Sequence, residues 1–122
     1  MEYQVLCFGV ALKFPKEKER LYVVRADTKE VLATVNGDNN SVGMFFPKEI
    51  EEMAEGKEVW VIHNHPDNSL KCSEFDLAVA FKHKQQYPRD KCRFFVTTEN
   101  GWLEFDGNGD KHEPKDSQVE GA

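Results

Sequence analysis

Five consecutive residues, Glu58-Val59-Trp60-Val61-Ile62, run straight into His63-Asn64-His65-Pro66, and this junction constrains the fold more than any other feature. The pentad is short and rich in β-branched and aromatic side chains, the pattern of a strand covered on both faces. Side chains two apart on an extended segment share a face, so His63 and His65 point one way from the strand end and Asn64 the other. From that reversed position Asn64 could orient a backbone or substrate group. Pro66, with no amide hydrogen to donate, ends the strand.

A helix is expected soon after. Ser73 stands as an N-cap ahead of a run from Asp76 to Gln86, and Pro88 closes the segment. Ser73 and Asp76 are three apart, which sets the hydroxyl and the carboxylate on one side of the first helical turn. The positive end of the helix favours the ionised form of Asp76. Two imidazoles and one carboxylate are donors that Zn²⁺ accepts in a catalytic site, where a fourth position stays open for water. Taken singly, a His-x-His pair is usually incidental and a Ser/Asp pair is usually a capping device. In this order, with a seven-residue turn between them, His63, His65, Ser73 and Asp76 form one joint signal.

The arrangement His63-x-His65-(seven residues)-Ser73-x-x-Asp76 resembles the signature of the JAMM (MPN-plus) metalloproteases, and His63-Asn64-His65-Pro66 is similar to its RadC branch. The resemblance covers about residues 17 to 109. Glu19-Arg20-Leu21-Tyr22-Val23-Val24-Arg25-Ala26-Asp27 resembles the glutamate-led strand of that branch, Pro47-Lys48-Glu49-Ile50 its short helix start, and Glu99 to Phe105 its terminal hairpin. Two departures stand out. Asp67-Asn68 replaces the Ser-Gly that usually follows the proline, and only about sixteen residues precede the Glu19 strand, so any role of the RadC N-terminal helical region does not carry over.

What the resemblance implies is specific. The fold would be α/β, a JAMM/MPN-like (cytidine-deaminase-like) mixed β-sheet flanked by helices in one domain. His63, His65 and Asp76 would bind one Zn²⁺ per chain, Glu19 would act as the base on the activated water, and Ser73 would hydrogen-bond the developing oxyanion. The activity would be that of a zinc metalloprotease hydrolysing a peptide or isopeptide bond, with a peptide or a ubiquitin-like protein as substrate. Two other readings stay open: a RadC-like role in genome maintenance or on a mobile element, and a noncatalytic interaction module. By composition alone, Glu19 reads as a surface charge within Lys16-Glu17-Lys18-Glu19-Arg20; the resemblance reverses that preference.

The remaining sequence fits such a domain. Thr28-Lys29 turns the glutamate strand into a partner ended by Asn36-Gly37, and a polar loop spans residues 38 to 43. Pro47 opens a short helix reaching Met53 or Ala54, which Gly56 stops. Residues 5 to 12 are apolar at both odd and even positions and read as one further strand. Residues 1 to 106 form the expected domain, and residues 107 to 122, without apolar periodicity, a flexible acidic tail. His83 falls seven positions after Asp76 on the same helical face, but Lys82 and Lys84 beside it suggest a solvated end. His112 lies in the tail and reads as inert. Phe45 and Phe46 could line a substrate groove or pack in the core.

A formal net charge of −6 argues against direct nucleic-acid binding, which relies on Lys and Arg neutralising phosphates. Three cysteines, Cys7, Cys72 and Cys92, are too few and odd in number for a disulfide framework. No apolar run approaches the ~20 residues of a membrane span, and no charged segment leads into a long apolar one at the N-terminus. The expectation is a cytoplasmic protein without a membrane partner.

Overall fold

The computed structural model of the 122-residue chain describes residues 2–7, 9–39, 42–43, 47–66, 74–87, 91–99, 101–106, 111–112 and 118–120. In order they form β1 (Glu2–Cys7), β2 (Val10–Pro15), β3 (Arg20–Arg25), β4 (Val31–Asn36), α1 (Pro47–Ala54), β5 (Val59–Asn64), α2 (Glu74–Gln86), β6 (Cys92–Thr98), β7 (Gly101–Phe105), β8 (Lys111–His112) and β9 (Gln118–Glu120). The result is a small single-domain α/β protein with a mixed main sheet in the order β4-β3-β5-β6-β7-β8 and a second sheet in the order β2-β1-β9.

β5 sits inside the main sheet, antiparallel to β3 and parallel to β6, and every residue from Val59 to Asn64 is buried. Coverage on both faces explains its continuous apolar run. Alternation divides its side chains between two cores. Val59 and Val61 join Leu21, Val23, Phe94 and Val96 beneath Ile50 and Ala54 of α1 and Ala80 of α2. Trp60 and Ile62 join Val24, Phe95 and Trp102 beneath Tyr3, Val5, Leu12 and Phe14 of the small sheet. Both helices therefore cover one face of the main sheet, whereas the expectation had helices flanking it. The opposite cover is β-structure.

That cover corrects the reading of the N-terminus. Residues 5 to 12 are the facing halves of a hairpin, with Val5 opposite Leu12 and Cys7 opposite Val10. Gly9 has φ +88, a left-handed conformation open to glycine at little steric cost, and it reverses the chain inside what looked like one apolar run. The stretch expected to be a tail also contributes structure: Lys111–His112 pairs with β7, and Gln118–Glu120 with β1. Two- and three-residue ladders are held by backbone hydrogen bonds and need no apolar periodicity, so composition does not reveal them.

Two ends agree with the sequence reading. α1 stops at Ala54, after which Glu55 and Gly56 both take positive φ, 52 and 79, and the Lys57 amide donates to the Ala54 carbonyl. α2 starts one residue after Ser73, as an N-cap there requires, but Ser73 itself lies outside the described residues. Among the described residues no helix is long and apolar enough to cross a membrane.

Candidate metal centre

β5 and α2 bring the three expected ligands together. His63 leaves β5 on the helix-covered face, and His65 follows just past the strand end, its amide donating to the Thr97 carbonyl at 3.0 Å. Asp76, Ala80 and His83 are the buried stripe of α2, at the i, i+4, i+7 spacing of one helical face. Asp76 occupies the first turn of that stripe and so comes down beside the end of β5. His63 and Asp76 are almost fully enclosed, with side chains 1 % and 5 % exposed; His65 is 13 % exposed and forms the open side.

Nε2 of His63 lies 3.2 Å from Nε2 of His65. The Asp76 carboxylate spans the pair, with Oδ1 at 3.2 Å from His63 Nε2 and Oδ2 at 3.3 Å from His65 Nε2. Zinc bonds of ~2.0–2.1 Å at tetrahedral angles put ligand atoms about 3.3 Å apart; the two imidazole nitrogens have about that spacing, and the carboxylate presents one oxygen at it to each of them. Among the described residues, this is a group of three in which one donor atom from each residue lies within 4.8 Å of the others. The donor set, two nitrogens and one carboxylate oxygen, suits zinc and leaves a coordination position for solvent.

Glu19 joins them from β3's leading edge. Leu21 pairs with His63, and the antiparallel register carried two residues further sets Glu19 across from His65, on the same face. Burial pushes the Glu19 carboxyl above its usual range; the His63 and His65 imidazoles oppose that shift, and the carboxylates of Asp76 and Asp38 add to it. A carboxylate that feels both imidazoles and Asp76 stands at the same centre. Of the residues that sequence reasoning names, the structure brings donor atoms of His63, His65 and Asp76 together and sets the Glu19 carboxyl within their electrostatic reach. Ser73, Phe45, Phe46 and Cys72 lie outside the described residues.

His83 departs from expectation. Its ring is 1 % exposed, faces Phe94 and Tyr87, and brings Nε2 to 3.9 Å from the Glu51 carboxylate. Lys82 and Lys84 are exposed while His83 is buried, because helical periodicity turns adjacent positions outward. Desolvation pushes its imidazole below the ordinary value. His83 belongs to the core between the two helices, two turns from the candidate ligand Asp76.

Sequence reasoning left Asn64 without defined partners. Its side chain points away from the ligands and is 0 % exposed. Nδ2 donates to the Pro15 carbonyl at 3.0 Å and the Lys18 carbonyl at 2.9 Å, and Oδ1 accepts from the Arg20 amide at 2.7 Å. A buried amide needs such partners, so an Asn closing an otherwise apolar strand is itself the signal that backbone from elsewhere meets it. Compared with known proteins, the sequence matches no family model and no curated protein.

Proposed function

We propose that this chain is a zinc-dependent peptidase or isopeptidase of JAMM type, hydrolysing an amide bond of a peptide or a ubiquitin-like conjugate. The convergence of His63, His65 and Asp76 at donor spacings of 3.2–3.3 Å supports it most directly. The mixed sheet, with His63 at the end of β5 and Asp76 on the helix that follows it, supports a JAMM/MPN-like fold as part of the same proposal.

When bound, zinc would supply a Lewis acid that polarises the scissile carbonyl and lowers the pKa of a water towards ~7. His63, His65 and Asp76 would hold it, the first at the end of β5, the second just past that end and the third on a helix packed against the strand. Glu19 accepts the water's proton and delivers it to the departing nitrogen, so that the amine leaves neutral. A carboxyl raised by burial is a stronger proton acceptor than a solvated one, which favours its taking the water's proton. Ser73, by the resemblance, donates to the oxyanion.

A cleavage screen against ubiquitin-like fusions and peptide libraries tests the proposal, with Glu19→Gln as control. Wild type cleaves an amide in a chelator-sensitive manner, and Glu19→Gln, while retaining zinc, keeps only a residual rate. Full activity in Glu19→Gln removes Glu19 as the base; activity that survives chelation and the His65→Ala change removes the metal.

A further inference from the structure

We propose that Asn64 is the positioning residue for Glu19: a side-chain amide that extends the β3–β5 pairing past its last backbone rung and fixes the carboxylate over the metal ligands. The inference rests on the reading of Glu19 as the base.

The β3–β5 ladder ends at Leu21 opposite His63. One residue further along, the Arg20 amide meets the Asn64 side-chain oxygen at 2.7 Å. The two hydrogens of the same amide go to the carbonyls of Lys18 and Pro15, at 2.9 and 3.0 Å. Asn64 therefore holds the peptide groups on either side of Glu19, Lys18 before it and Arg20 after it. Its amide hydrogens and its oxygen all reach this segment, and the Tyr3 hydroxyl of β1 is a further partner of the same side chain.

The same two peptide groups are fixed from the other direction through the Glu19 amide and carbonyl. That amide donates to the Asp38 carbonyl at 2.7 Å, and that carbonyl accepts from the Gly37 amide at 2.8 Å. Held by Asn64 on one edge and by residues 37 and 38 on the other, the backbone at Glu19 has little freedom to translate or rotate. The alternation of β5 then gives the arrangement its purpose. His63 and His65 face the metal, and the residue between them faces the opposite way and grips the base-bearing segment. One strand thus sets the ligands and the position of the proton acceptor together, and any shift of β5 carries both. Misplacement of a reacting group by about 1 Å can cost ~10²-fold in rate, which is the scale of the effect assigned to Asn64.

The test is a double-mutant cycle with Asn64→Ser and Glu19→Gln, read on an amide substrate that wild type cleaves. Asn64→Ser alone should lower kcat about 10²-fold with KM and zinc affinity, measured by competition with a chromogenic chelator, within about twofold of wild type. In the Glu19→Gln background the same substitution should change the residual rate by less than about twofold, because an effect exerted through Glu19 vanishes with its carboxylate. Equal losses in both backgrounds, or a loss of zinc affinity as large as that of His65→Ala, overturns the proposal. Amide hydrogen exchange of the metal-free wild type gives a readout that needs neither activity nor a folded variant. The Arg20 amide and the Asn64 side-chain amide should be strongly protected, and exchange at the rate of solvated amides refutes the clamp. Absence of any amide hydrolysis by wild type would instead count against the proposed function, with the clamp still judged by exchange.

Discussion

Zinc should raise the melting temperature of the metal-stripped protein by about 10 °C when present at a hundredfold excess over its dissociation constant. Ligand that binds only the folded state at that excess stabilises it by ~2.7 kcal/mol. At about 2.1 cal/mol/K per residue, the 122-residue chain unfolds with an entropy of about 0.26 kcal/mol/K, and the quotient is the expected shift. The donors are already gathered at 3.2–3.3 Å in the folded protein, so binding requires little rearrangement there, whereas the unfolded chain does not hold Asp76 near the two imidazoles. His65 is the most informative position to change. Its side chain is the most exposed of the three, 13 % against 1 % for His63 and 5 % for Asp76, so His65→Ala removes a donor with the least damage to packing. The assay is a thermal melt of each protein with zinc titrated into chelator-stripped samples. His65→Ala should melt near the metal-free wild type and shift by no more than about 3 °C at the same zinc concentration. Because imidazoles must be unprotonated to ligate, the wild-type shift should shrink on acidification. A wild type that does not respond, or a His65→Ala protein that responds equally, refutes the assignment of this centre as a metal site.

Glu19→Gln should stabilise the metal-free protein at neutral pH. Since the folded-state pKa of Glu19 is raised above its ordinary 4.5, folding takes up a proton and stability declines as pH rises from that value through the folded one; urea midpoints of wild type and variant should diverge upward from about pH 4.5 and coincide below it. His83 works in the opposite direction: its folded-state pKa is lowered, so its contribution is intact above the ordinary 6.5 and is lost as pH falls below it. His83→Leu should flatten that acid slope, and an unchanged difference between the two urea profiles would remove His83 as its source. Phe95 is fully buried on the face opposite the ligands and lies 5.0 Å from the Trp102 ring, so Phe95→Ala should cost ~3–5 kcal/mol and at least about 12 °C in melting temperature. Zinc stoichiometry at a temperature where the variant is folded should stay at that of wild type.

The juxtaposition of His63, His65 and Asp76 was legible because their geometry is local: a strand alternates strictly and a helix repeats every 3.6 residues, so these residues carry their directions in their spacing. Chain reversal at Gly9 was not legible, since an apolar run on both faces reads the same whether it is one strand or the turn region of a hairpin whose arms are covered. The burial of His83 was missed because its flanking lysines dominate composition, while position i+7 from Asp76 decides its direction. Pairing of β8 and β9 depends on which backbone edges lie within reach, and no side-chain pattern encodes that.

The sequence by itself determined the strand and helix that carry the candidate donors, and the apolar faces those elements bury. Only the tertiary structure decided what meets at the centre: that Glu19, forty-four residues before His63, stands opposite His65, and that Asn64 binds the peptides on either side of it. The physical reason is range. Dihedral preferences and side-chain periodicity act over a few residues, whereas sheet register and buried hydrogen bonds are settled by which distant backbone groups can satisfy one another once water is excluded.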